Sequence, residues 1–208
     1  ADNDDDVQAW NLAKVSVLHT SNRIEEALSL LDNLTDTYPQ NKKAWSLKGY
    51  DLAKLGRYNE SLEAYDEALE LDSKDAQIWS TKARQLAEMN RYDEAQEAFD
   101  KAIELMPSDD IKEIEQVVQI WLDKGDALNK TGNVDASEKA FQKALEISDE
   151  VLKNDSSQTS LMLLKGNALF NLAMYDAAVE VYDQVIETAS PNSRHVSSAW
   201  IGKGRALQ

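Results

Sequence analysis

The sequence has no cysteine, only two histidines, three prolines and seven glycines among its 208 residues. Without cysteine it can form neither a disulfide framework nor a thiolate metal site. Proline and glycine are the residues that most often interrupt helices, so their scarcity favours an all-helical chain. No apolar run is long enough to span a membrane and no signal peptide is recognisable, which predicts a cytoplasmic protein without a membrane partner.

Basic residues are also in short supply, with 22 Lys and Arg against 38 Asp and Glu and a formal net charge of −16. Binding to nucleic acid depends on neutralising phosphates with Lys and Arg, so this balance argues against a nucleic-acid partner. An acid excess of this size also keeps a protein soluble.

The dominant pattern in the sequence is a phrase that opens with tryptophan. A lysine follows three residues later, then a small residue, then a leucine. The phrase occurs as Trp45–Lys48–Gly49–Leu52, Trp79–Lys82–Ala83–Leu86, Trp121–Lys124–Gly125–Leu128 and Trp200–Lys203–Gly204–Leu207. Its first two copies are 34 residues apart, a period that predicts stacked helix pairs sharing one core.

This phase divides the chain into an acidic N-terminal tail, which we expect to be frayed, and a single array of repeats. The tail is 1–7 and the array is 8–208, with repeats at 8–41, 42–75, 76–109, 118–151 and 159–192 and a half-repeat or capping helix at 197–208. In each repeat we call the first helix A and the second helix B. The first repeat is degenerate, as expected at an array end, because Trp10 stands one place early.

Insertions on both sides of the fourth repeat carry apolar residues at helical spacing. They predict a lengthened hairpin, with helix A from about Asp110 to Lys130 and helix B from about Val134 to Lys153. Pro107 would end the third repeat, and one residue of 108–110 would cap the long helix. Two unrelated loop insertions are the alternative.

These residues resemble the tetratricopeptide repeat family. The third repeat carries the fullest match, in Trp79, Lys82, Ala83, Leu86, Tyr92, Ala95, Phe99, Ala102 and Pro107. The resemblance implies an all-α fold, a right-handed α-solenoid of antiparallel helix pairs whose A helices line a concave groove. It further implies a non-enzymatic scaffold or adaptor that binds a peptide or helical segment of a partner protein in this groove.

By the same resemblance, five positions of each A helix face the groove. The candidate peptide-binding residues at these positions are Lys43, Tyr50, Lys54, Arg84, Lys130, Asn167, Phe170 and Arg205. The only acidic residues at groove positions are Glu88 and Asp126, so the groove is basic within an acidic chain and favours an acidic ligand. The carboxylate clamp of chaperone-binding family members is absent.

Nothing in the sequence suggests catalysis, a metal site or a cofactor. His19 and His195 stand near opposite ends of the array, which favours solvated helix-end or loop positions over a catalytic role. Two alternative functions remain open: a self-assembly module that pairs through its array ends, and the regulatory arm of a longer multidomain protein. We expect a monomer or a weak homodimer.

Overall fold

The computed structural model describes residues 2–106 and 111–208, with side chains from residue 4 onward. These residues form eleven α-helices and no strand, as the sequence predicts. The chain divides into two compact units, unit 1 (Ala1–Arg91) and unit 2 (Tyr92–Gln208). The division falls within the third repeat. Pro107 and the expected cap at 108–110 lie outside the described residues.

Unit 1 contains five helices that alternate between A and B type. They are α1 (Asp2–Thr20), α2 (Ile24–Thr37), α3 (Lys42–Lys54), α4 (Tyr58–Leu71) and α5 (Ala76–Glu88). Asn41 and Asp75 cap α3 and α5, since their side chains accept hydrogen bonds from Ala44 N at 2.9 Å and Ile78 N at 3.1 Å. Short turns between successive helices make neighbours antiparallel.

The acidic N-terminus differs from the frayed tail that was expected at 1–7. Helix α1 begins at Asp2 and includes residues 2–7. Aspartates in the first turns of a helix are stabilised by the positive end of the helix dipole, which offsets their mutual repulsion. The Tyr38 hydroxyl also donates to Asp4 Oδ1 at 3.4 Å, which connects α1 to the end of α2.

Unit 2 contains six helices, two of them long. They are α6 (Tyr92–Leu105), α7 (Ile111–Lys130), α8 (Val134–Asn154), α9 (Thr159–Asn171), α10 (Tyr175–Thr188) and α11 (Arg194–Ala206). Helices α7 and α8 have 20 and 21 residues, against 13 or 14 in the others, as the lengthened hairpin requires. Ile114 and Val151 pack against the core around Val118, whereas Ile111 stays 38% exposed.

Within a repeat, helices A and B meet where an aromatic ring lies against a glycine. A Cβ atom built on Gly49, Gly125 or Gly166 would come within 2.6, 2.4 or 2.5 Å of the ring of Tyr65, Phe141 or Tyr182. Each ring is fully buried or nearly so. The small residue in the repeated phrase is therefore a requirement of close helix packing.

Successive repeats within each unit are joined by a ladder of lysines. Each lysine of the phrase stands over the tryptophan of its own helix, with Nζ 5.0, 5.5, 5.3 and 5.6 Å from the ring centroid for Lys48, Lys82, Lys124 and Lys203. The same ammonium pairs with an aspartate of the preceding helix B, namely Asp32, Asp66, Asp100 and Asp183. Lys165 pairs in the same way with Asp149 at 2.6 Å. The regular spacing of the phrase therefore brings each lysine to the same pair of partners, a tryptophan and an aspartate, or, for Lys165, to an aspartate alone.

Candidate functional site

In unit 1, three of the predicted groove residues lie together between α3 and α5. Tyr50, Lys54 and Arg84 line a pocket of about 430 Å³, and the acidic Glu88 lines it as well. Tyr50 is 42% exposed, and Lys54 Nζ lies 5.4 Å from the centroid of its ring. We call this cavity the unit 1 pocket. Lys43 is exposed in the first turn of α3 and does not line it.

A second pocket of about 630 Å³ adjoins the first on the side of α1. Tyr50 and Lys54 line both pockets. The other lining residues of the second are His19, Asn22, Ile24, Glu25, Leu47 and Leu55. The aromatic ring and the ammonium therefore form a ridge between two cavities. An extended segment that crossed this ridge would contact both.

The ridge packs against a pair of ionisable residues, His19 and Asp51, that the sequence did not predict. His19 Nε2 lies 2.7 Å from Oδ1 of Asp51, which is fully buried, and the imidazole edge contacts the Tyr50 ring at a centroid distance of 5.8 Å. Burial raises the pKa of Asp51, while the hydrogen bond and charge of His19 oppose this rise. His19 is thus near a helix end, as predicted, but its side chain is only 21% exposed and pairs with Asp51.

In unit 2, helices α7, α9 and α11 bring a polar and aromatic cluster together. The Arg205 guanidinium lies over the Phe170 ring at 4.5 Å, and Asn167 Oδ1 accepts from the Tyr182 hydroxyl at 2.9 Å. Asp126 Oδ1 accepts from Asn171 Nδ2 at 3.3 Å. We call Asp126, Lys130, Asn167, Phe170, Asn171 and Arg205 the unit 2 cluster.

The electrostatics of this cluster are set by two cations, one carboxylate and a buried tyrosine hydroxyl. Desolvation by the surrounding protein raises the pKa of Asp126, and the positive charges of Lys130 and Arg205 oppose this rise. Burial raises the pKa of Tyr182 to about 12, so its hydroxyl stays protonated at neutral pH and continues to orient Asn167. Two cations against one carboxylate leave the cluster positive, and the exposed guanidinium can pair with a carboxylate.

Neither a metal site nor a membrane-spanning segment is visible in the described part of the chain. Over those residues, no group of three or more His, Asp or Glu side chains could hold a metal ion. No helix among them combines the length and apolar character needed to cross a bilayer.

The comparisons with known proteins agree on one fold. Family profiles described as tetratricopeptide repeat match residues 43–75, 80–151 and 159–192. No curated protein matches the chain. Among solved structures, pilF of Pseudomonas aeruginosa is similar over 97% of this chain and 89% of its own, at a TM-score of 0.65 and 18% identity.

Two further solved structures share the fold. PilW, described as a widely conserved type IV pilus biogenesis factor, matches 97% of this chain and 86% of its own at a TM-score of 0.64 and 16% identity. YrrB matches 85% of this chain and 84% of its own, at a TM-score of 0.51 and 18% identity. Matching profiles cover more than half of the residues, and helix pairs with the family's spacing fill both units. The chain therefore belongs to the tetratricopeptide repeat family, a family of protein-interaction scaffolds.

Proposed function

We propose that this protein binds an acidic peptide or helical segment of a partner protein across the exposed faces of its A helices. The unit 1 pocket carries the proposal, because it combines an exposed aromatic ring with two cations around a cavity. Tyr50 would pack against a ligand side chain, and Lys54 and Arg84 would pair with carboxylates. This function requires no catalytic residue.

The unit 2 cluster would provide a second contact of the same chemistry. Phe170 would offer an aromatic face, Arg205 a guanidinium already held over that face, and Asn167 an amide for the ligand backbone. Because the Tyr182 hydroxyl donates to Asn167 Oδ1, the Asn167 NH₂ group would be directed to donate to a ligand carbonyl.

A peptide is the natural first ligand to test, since YrrB is described as having an unusual peptide-binding site. Two pools of fluorescent peptides should be compared by anisotropy, one rich in Asp and Glu and one with Lys at each acidic position. We expect the acidic pool to bind more tightly. Arg84→Glu should weaken its binding at least about tenfold, or roughly 1.4 kcal/mol, because a carboxylate partner would become a repulsive contact.

The matched control is Lys139→Glu, which changes the charge equally on an exposed position of α8 outside the cluster. It should leave the affinity for the acidic pool unchanged. Thermal unfolding of both variants would verify that they are folded. Equal affinities for wild type and Arg84→Glu would rule out the unit 1 pocket as the binding surface.

A further inference from the structure

We propose that a cavity between α8, α9 and α10 binds a tryptophan side chain of a partner protein, one that is flanked by acidic residues. The cavity measures about 400 Å³ and is lined by residues of all three helices and of the turn that precedes α9. We call it the α9 pocket. It shares no lining residue with the unit 1 pocket or the unit 2 cluster, so its use does not depend on peptide binding there.

Four helices of the chain hold a tryptophan beneath a lysine, and α9 does not. In α3, α5, α7 and α11 the ring centroid lies 5.0 to 5.6 Å from the ammonium. In α9 the tryptophan position holds Met162, and no aromatic ring of the described chain lies beneath Lys165. Lys165 is also the most exposed of the five lysines, at 27% against 12 to 23% for the others. The copy of the pattern in α9 therefore lacks its ring.

The α9 pocket lies where that ring would stand. Met162 and Lys165 both line it, and so does Asp149, which pairs with Lys165 at 2.6 Å. This ion pair does not compete with a bound ring, because in the other four helices one ammonium holds an aspartate and a tryptophan at the same time. Leu152 and Val181 add apolar surface to the pocket. An aromatic ring bound here would gain a cation over its face and apolar contacts around it.

The preceding turn offers a hydrogen-bond acceptor that distinguishes tryptophan from phenylalanine. Trp45 Nε1 donates to the Pro39 carbonyl at 2.8 Å, and Trp79 Nε1 donates to the Ser73 carbonyl at 2.9 Å. Each acceptor stands six residues before its tryptophan. Ser156 stands at the same distance before the tryptophan position of α9 and lines the α9 pocket. A bound indole would therefore donate to the Ser156 carbonyl, which a phenylalanine ring could not do.

The turn before α9 has the same shape as the turn before α5. Asp155 Oδ1 accepts from Ser157 N at 3.0 Å, and Asp72 Oδ1 accepts from Lys74 N at 3.1 Å. The backbone angles φ and ψ are −144° and 96° at Asp155 and −150° and 90° at Asp72. Because the two turns match, the register that gives Trp79 its acceptor applies to the α9 pocket as well.

The rim of the α9 pocket favours an acidic residue beside the tryptophan. Lys153, in the last turn of α8, is exposed and lines the pocket. It forms no ion pair with a residue that the structure describes, so its charge is available to a ligand carboxylate. Since Lys165 and Asp149 neutralise each other, Lys153 leaves the pocket positive. A positive site on an acidic molecule favours an anionic partner segment.

Titration of the isotope-labelled chain with short peptides, followed by the chemical shifts of its amides, provides the test. The acetylated and amidated peptide Glu-Trp-Glu should give saturable shift changes confined to amides around the α9 pocket. Glu-Leu-Glu should bind at least about fivefold more weakly, because leucine has no ring to place beneath Lys165. Lys-Trp-Lys should also bind more weakly, because its cations would be repelled by Lys153.

Met162→Trp is the blocking variant, since it would place a ring of the chain itself in the pocket. It should weaken the binding of Glu-Trp-Glu at least about tenfold. Met174→Trp is the matched control, because it makes the same substitution at a 48% exposed position that does not line the pocket. It should bind Glu-Trp-Glu like the wild type. Circular dichroism would verify the helical content of both variants.

Three results would each overturn the proposal. They are shift changes that fail to saturate or that spread over the whole molecule, an affinity for Glu-Trp-Glu no higher than that for either other peptide, and undiminished binding by Met162→Trp. If Met162→Trp did not fold, the location of the shift changes in the wild type would still decide between the α9 pocket and another site.

Discussion

Among single residues, Asp51 combines full burial with an ionisable carboxyl group. It shares α3 with the exposed Tyr50, and its only ion pair in the described structure is with His19 of α1. Burial raises its pKa, so folding is favoured by its neutral form. This contribution to stability is fully present below the pKa of the unfolded chain and is lost as the pH rises through the higher pKa of the folded state.

We predict that Asp51→Asn is more stable than wild type at pH 8 and that the difference disappears as the pH approaches 3.5. The asparagine oxygen can still accept from His19 without carrying a charge. Thermal unfolding across this pH range would measure the effect. Asp51→Ala, which leaves His19 unpaired, should instead lose about 1–3 kcal/mol. An Asn variant less stable than wild type at pH 8 would show that the ion pair outweighs the cost of burial.

At the scale of helices, the α7–α8 hairpin is a local addition to a regular pattern. Its two extra turns are covered by contacts of their own, since Ile114, Val151 and Leu152 belong to the cluster around Val118. In repeat proteins each repeat contacts mainly its neighbouring repeats, so the projecting turns can open while the remaining repeats stay folded.

We predict that Ile114→Asp loosens this projection without unfolding the other helices. Removing a partly buried isoleucine should cost about 1–2 kcal/mol, less than the value for a fully buried side chain. Hydrogen exchange at amides 111–117 and 146–153 should accelerate. Ile111→Asp is the control, because Ile111 is already 38% exposed and should tolerate the charge. Equal exchange in both variants would contradict a packed projection.

At the scale of the molecule, the net charge of −16 opposes compaction. The lysine ladder offsets part of this repulsion, but an exposed ion pair contributes only about 0–1 kcal/mol. We therefore predict that the unfolding temperature at pH 7 rises by a few degrees between about 10 mM and 150 mM salt, over which the Debye length falls from about 30 to 8 Å.

The same salt series at a pH where the net charge is near zero should show no rise. A fall in unfolding temperature with salt at pH 7 would mean that the ladder pairs, and not the overall repulsion, dominate the electrostatics of folding.

The sequence was informative wherever the repeat fixed a local environment. The period predicted the helix pairs, and the apolar residues around Ile114 predicted the long hairpin. The His19–Asp51 pair could not be predicted, because it joins a degenerate first repeat to a position that is not ionisable in the other repeats. The unit boundary was equally hidden, because it falls inside the third repeat, 76–109, whose residues match the family pattern on both sides of it. The role of the groove residues in peptide binding stays a prediction.

The lysines that stand over tryptophan rings also give the protein distinguishable intrinsic fluorophores. Trp45 and Trp79 report from unit 1, and Trp121 and Trp200 from unit 2, each beneath an ammonium 5.0 to 5.6 Å from its ring. When a ladder contact opens, its indole loses a fixed positive charge and gains water. In a set of variants that each keep one tryptophan and have phenylalanine at the other four positions, a shift of the fluorescence emission maximum to longer wavelength would show which repeat had opened.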